Sequence, residues 1–265
     1  LSKLLTSKLT LSGDNSSYAG GITVSAGTLT LGSSTPWGSG SVVTVVSGAA
    51  MDLNGQTVTN TNNVTNINGT GLTTSPAGVL FNSSSSAASY AGLLTLTGNS
   101  TIKAGSGAIA LTNPGTITGA YGLTLDGGFG GSVSSVIGNI TSSTSITALT
   151  LTTGTWSLSG SNTFSGATSI TGGSLQITGA GGLGTGGTYS GWINIAGGSS
   201  LVYSSSADQT LGGAISGAGT VTKDTSTTST LTLTASNSYS GATTINAGTF
   251  KVGGGGYLGS ANYSA

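Results

Sequence analysis

The chain has 265 residues, 49 of them glycine, and a formal net charge of zero. Only 4% are charged, against about 25% in an ordinary globular domain; the charged set is five lysines and five aspartates, and Glu, Arg, His and Cys do not occur. This excludes a disulfide framework and thiolate chemistry, removes any electrostatic reason to bind nucleic acid or anionic membrane, and, with a positive mean hydropathy, argues against charge-driven disorder.

The chain opens with "LSKLLTSKLTLSGD". Its apolar residues are interrupted, so no signal peptide is expected here. No run of about 18 apolar residues follows, so no membrane-spanning helix is expected either. From there the pattern is period two. "KLTLSG" from Lys8, "GTLTLG" from Gly27, "GLTLDGG" from Gly122, "ALTLTTG" from Ala148, "SLQITG" from Ser174 and "TLTLTA" from Thr230 each place apolar residues on one face and Thr, Ser or Lys on the other. Each reads as a short strand bounded by Gly, Asn, Asp or Ser turns. Helical periodicity is nearly absent. The one stretch expected to turn helically is "SSSSAASYAGLL", Ser83 to Leu94.

Repeats set the architecture. Tyr18, Phe164 and Tyr239 head three equivalent blocks. Aligned on them, Gly20, Gly166 and Gly241 match, as do Gly27, Gly173 and Gly248. The apolar positions Val24, Ile170 and Ile245, then Leu29, Leu175 and Phe250, then Leu31, Ile177 and Val252 also match, and form the expected repeat core. A second module precedes two blocks ("ITGAYGLTLDG" from Ile117, "ISGAGTVTKD" from Ile215), and a third follows two ("WGSGSVVTVVSGAAMDLNG" from Trp37, "GLGTGGTYSGWINIAGGSSLVY" from Gly182).

A five-residue strand with one apolar face is not stable alone. Stacking each coil on the one before joins all the apolar faces in a column and pairs every strand in parallel with its counterpart. The expected fold is therefore an all-β solenoid of roughly 11–13 coils. It is read as a single elongated domain over residues 1–265, with repeat blocks at about 8–56, 115–210 and 213–265 and a divergent region at about 57–111.

The block "LTLTASNSYSGATTINAGTFKVG" from Leu231, with "ISGAGTVTK" upstream and the "WGSGSVVTVVSGAAMDLNG" module, resembles the autotransporter-associated β-strand repeat of bacterial passenger domains. The resemblance implies a right-handed parallel β-helix at the surface of, or shed from, a Gram-negative-type cell, in adhesion or matrix roles. It also implies a C-terminal translocating β-barrel, which these residues do not include.

Chemistry is sparse. With no His, Glu, Cys or Arg, the many serines have no partner to activate them, so no catalytic residue and no cofactor is assigned. The five aspartates read as turn residues. A calcium site is the lesser alternative, and Asp208 and Asp224 are the pair to inspect. "GAGGLGTGG", Gly179 to Gly187, has phosphate-loop spacing but no following helix or lysine, so turn glycine is the reading. Trp37, Trp156 and Trp192 read as corner or capping residues, with a sugar-stacking surface as the alternative. Repeated Thr-x-Thr admits ice binding, although the threonines fall on several strands.

The expected role is structural: an extracellular or cell-surface bacterial protein that stacks head to tail into a filament or forms an adhesin shaft. The alternative is a monomeric passenger excerpt acting in adhesion, and a polysaccharide-active enzyme is more distant. The expected partner is a second copy of the chain, with surface or matrix polysaccharide also considered. The interface is placed at Leu4, Leu5, Leu9 and Leu11 on one end and Tyr257, Leu258 and Tyr263 on the other.

Overall fold

In the computed structural model, residues 1–74, 77–138, 147–254, 258 and 263–264 are described. Every strand pairing recorded among them is parallel, and the only helical element is a single 3-10 turn at Thr185–Gly187. The protein is a β-solenoid. Each coil contributes strands of mostly two to five residues, and glycine-rich corners separate them. Two units divide the chain, Leu1–Ser135 and Val136–Ala265.

In the first unit the register aligns like residues in columns. Leu9 stands on Leu29, Leu29 on Met51, Met51 on Leu80, Leu80 on Ile102 and Ile102 on Leu125. All but Leu9 are fully buried. A second column runs Lys3, Val24, Val45, Ile67, Leu96, and a third Val58, Tyr90, Leu111, Val133. The residues between them face outward: Thr23, Thr44, Asn66 and Thr95 follow one another on one face. A period of two on a pleated strand enforces this division, and repeating it each coil makes a column of one type.

The stretch expected to be helical is strand instead, over Ala88–Tyr90 and again from Leu93. Ala88 and Tyr90 point into the core and stand on Ile109 and Leu111. That burial outweighs the weak local preference of the serine run.

In the second unit Trp156, Leu175, Leu201 and Val221 form one column. Leu158, Ile177, Tyr203 and Lys223 form the next. Lys223 is a charged residue at a core position. Its Nζ donates to the carbonyl oxygens of Ser226 at 3.0 Å and Asp224 at 3.4 Å, and lies 5.8 Å from the Tyr203 ring centroid. Burial lowers its pKa, partly offset by nearby Asp224.

Val24, Leu29, Leu31, Ile170, Leu175 and Ile177 are fully buried. The remaining three expected core residues differ. Ile245 and Phe250 are half-buried, and Val252 is 39% exposed. Strand Thr249–Val252 stands on Thr230–Leu233, and among the described residues nothing pairs with its other edge, so one side of each core residue there is uncovered.

Candidate functional site

The edge of the first unit carries its most exposed leucines. Strands Ser2–Lys3 and Lys8–Leu11 pair on one side with Ile22–Val24 and Gly27–Leu31; among the described residues their other side is unpaired. Leu4 is 68% and Leu5 73% exposed. Leu9 and Leu11 are half-buried, since each stands on a buried leucine but has no described strand on its other side. Beside them lies an apolar pit of about 180 Å³ lined by Leu1, Leu11, Asn15, Tyr18, Ile22 and Pro36. Lys3 is turned inward, and its Nζ donates to the carbonyl oxygens of Leu5 and Ala26. At the far end of the chain Leu258 is half-buried, and Tyr263 lies on a short strand paired with Thr243. The side chain of Tyr263, and Tyr257 altogether, lie outside the described residues.

The aspartates are engaged one by one. Asp14 accepts the Ser16 N–H, which lowers its pKa. Asp52 is buried and accepts from the Asn54 N–H and from the N–H and hydroxyl of Ser83. Asp126 pairs with Lys103 at 3.1 Å. Asp52 and Asp126 end strands and do not sit within turns, although Asp52 still accepts the N–H two residues on, as a turn aspartate does. Asp208 accepts the Thr230 N–H and Asp224 the Asn246 amide, with no hydrogen bond joining the two carboxylates. Among the described residues no group of three or more potential metal ligands occurs. Trp37 and Trp156 are buried, whereas Trp192 is 43% exposed.

What recurs with fixed geometry is the corner before each middle strand of a block. Phe164 and Tyr239 are fully buried, and Phe164 meets Tyr189 edge-on with ring centroids 5.5 Å apart. Tyr18, expected in the same slot, is 38% exposed at the pit, because no described coil covers its outer side. Two residues before each buried aromatic stands a buried asparagine. Asn162 accepts the Ile137 N–H at 2.9 Å and donates to the carbonyls of Gly160 and Gly182. Asn237 accepts the Ile215 N–H at 2.8 Å. Each asparagine thereby ties a corner to a neighbouring coil. Gly27, Gly173 and Gly248 all have positive φ, at 68°, 82° and 74°, a conformation that costs a residue with a Cβ.

The passenger-associated-transport-repeat family model matches residues 6–31, 153–177 and 228–252. Three segments of the chain are thus similar to passenger-associated transport repeats. No curated protein and no solved structure matches the chain.

Each such repeat contains one full coil closure. Its first and last strands are stacked partners: Lys8–Leu11 on Gly27–Leu31, Thr155–Leu158 on Ser174–Ile177, and Thr230–Leu233 on Thr249–Val252. The repeat therefore encodes the pitch. It and the solenoid fold fit an autotransporter passenger-like structural protein, secreted or at a bacterial cell surface.

Two features escaped the sequence reading. The aromatic-x-Gly corner with a buried ring also occurs at Tyr90-Ala91-Gly92 and Tyr189-Ser190-Gly191. A Cβ built on Gly92 or Gly191 would lie 2.5 or 2.6 Å from the hydroxyl of the preceding tyrosine, so the ring folds over the glycine. Buried Tyr–Thr hydroxyl pairs also recur: Tyr90 with Thr65 at 2.5 Å, Tyr189 with Thr168 at 2.7 Å and Tyr239 with Thr243 at 2.6 Å. The string Tyr/Phe-x-Gly was the available signal for the first; nothing local announces the second, since two of the three partners lie a coil away.

Proposed function

We propose that this chain is a non-catalytic shaft element that extends by adding strands to its exposed edge, a second copy of the chain being the added partner. The reading is supported chiefly by Leu4 and Leu5, exposed beside strands that pair on one side only among the described residues. A second copy docked there would continue the parallel ladder and cover both leucines. A head-to-tail interface that does not close generates a filament, and zero net charge opposes it little. The same edge would suit the preceding coil of a longer polypeptide, which is the passenger-shaft reading in adhesion.

Electron microscopy and sedimentation of the purified 265-residue chain separate the two. Filaments are expected for the parent chain, and discrete folded rods for Leu4→Asp/Leu5→Asp. Because both leucines are exposed, that variant should keep its melting temperature. A parent chain that stays monomeric at high concentration, or a double variant that still polymerises, overturns self-stacking in favour of the longer shaft.

A further inference from the structure

Four strands of the second unit, Thr188–Tyr189, Gln209–Leu211, Thr230–Leu233 and Thr249–Val252, pair in that order. Their outward side lines a groove of about 410 Å³. Thr188, Thr210 and Thr232 follow one another in register, with Lys251 next in the column. Thr230 and Thr249 form the column beside it. Asp208 flanks Thr230, whose N–H is donated to its Oδ1 at 2.7 Å. The rim is the glycine string: Gly186 and Gly187 line the groove, and with Gly184 all have positive φ. Buried Gln209 holds that rim. Its Oε1 accepts the Leu183 N–H at 2.7 Å, and its Nε2 donates to the carbonyls of Leu183 and Gly187 at 3.0 Å.

On other outward faces some polar side chains bond one another between coils, Asn66 to Thr44, Thr95 to Thr118 and Asn194 to Ser216, while the stacked pair Thr101–Thr124 does not. In the groove, among the described residues, none of the five threonine hydroxyls has a protein partner. Neither does Asp208 Oδ2 or Lys251 Nζ. The wall is preformed by a buried amide, while the floor's hydrogen-bonding capacity is unspent.

We propose that the groove binds a neutral oligosaccharide. Each hydroxyl both donates and accepts, the carboxylate accepts strongly from a sugar hydroxyl, and the ammonium donates. One positive and one negative side chain leave the groove without a bias toward a polyanion or polycation. Its threonines recur at the strand spacing of about 4.8 Å, roughly one pyranose ring, so a hexose chain along the column meets a hydroxyl per coil. A concave wall suits a chain of rings and not the flat plane of an ice crystal. The groove does not involve Leu4 or Leu5, so this proposal stands apart from self-stacking.

The test titrates cellohexaose, maltohexaose and laminarihexaose into the full chain, followed by calorimetry and saturation-transfer NMR. At least one should bind. Thr210→Val/Thr232→Val, which keeps the β-branched shape, should weaken binding about tenfold or more without changing the melt. Thr23→Val/Thr44→Val, on the first unit, should leave binding unchanged. The proposal is overturned if none of the three binds at about 10 mM, or if the groove variant binds as the parent does. A preference for polygalacturonate or for a polyamine, or inhibition of ice recrystallisation without oligosaccharide binding, also overturns it.

Discussion

Single side chains hold the coils together where the backbone turns. Asn162 satisfies one N–H and two carbonyls at a buried corner. Asn162→Ala should therefore cost about 2–3 kcal/mol, since buried groups left unpaired are penalised individually. Asn15, half-buried and with a side chain that donates only to Gly13 O, should tolerate Ala to within about 0.5 kcal/mol. Urea midpoints compare the two, and equal losses would contradict the corner-tie role. Tyr90 gives a pH signature. Burial holds its hydroxyl neutral and pushes its pKa up from 10.0 to about 12, with the Thr65 bond acting the other way. The folded state thus keeps this proton longer than the unfolded chain. Its contribution is complete below about pH 10 and is lost between about pH 10 and about 12, on the order of 2–3 kcal/mol. Tyr90→Phe should flatten that part of the alkaline stability profile; an unchanged slope would count against a neutral buried hydroxyl.

Strands carry their information as alternation. Leu175 stands in a buried column between Trp156 and Leu201, while Gln176, next along the strand Ser174–Ile177, is half-buried on the outward face. Leu175→Ala should cost about 2–5 kcal/mol and Gln176→Ala about 0.5 kcal/mol or less, read by chemical denaturation. A reversed order would mean a strand phase shifted by one residue, which exchanges the two faces. The turn ahead of this strand adds its own test. Gly173→Ala places a Cβ at positive φ against the Gly154 carbonyl, so it should cost more than about 1 kcal/mol.

At the scale of the whole molecule, cohesion comes from columns and ladders and hardly at all from charge. Among the described residues Lys103–Asp126 is the one ion pair, and it sits at a partly exposed position where such pairs contribute about 0–1 kcal/mol. The thermal midpoint should therefore move little between about 0.02 and about 1 M KCl. Self-stacking through Leu4 and Leu5 should likewise survive high salt. Dissociation of filaments by salt alone would place the interface elsewhere.

The solenoid was legible in the sequence because its two determinants are local and repeated: alternation of period two, and glycine where each coil turns. A residue such as Leu175 needs no distant knowledge to be assigned inward. The same local reading failed at the outer layers. Val252 and Tyr18 occupy the same repeat positions as their buried counterparts, yet their burial depends on whether another coil lies above them. Ser83–Leu94 was misjudged for a related reason: its serines give a weak local preference, and the columns under Ala88 and Tyr90 decide its conformation. The groove was beyond sequence altogether. Thr188, Thr210, Thr232 and Lys251 are scattered along the chain and become one surface only through parallel register. The glycine string at Gly184–Gly187 becomes its rim only because Gln209, a coil away, bonds to it. Pitch and side-chain phase were set by local chemistry; exposure, and what neighbouring coils bring together, were set by stacking.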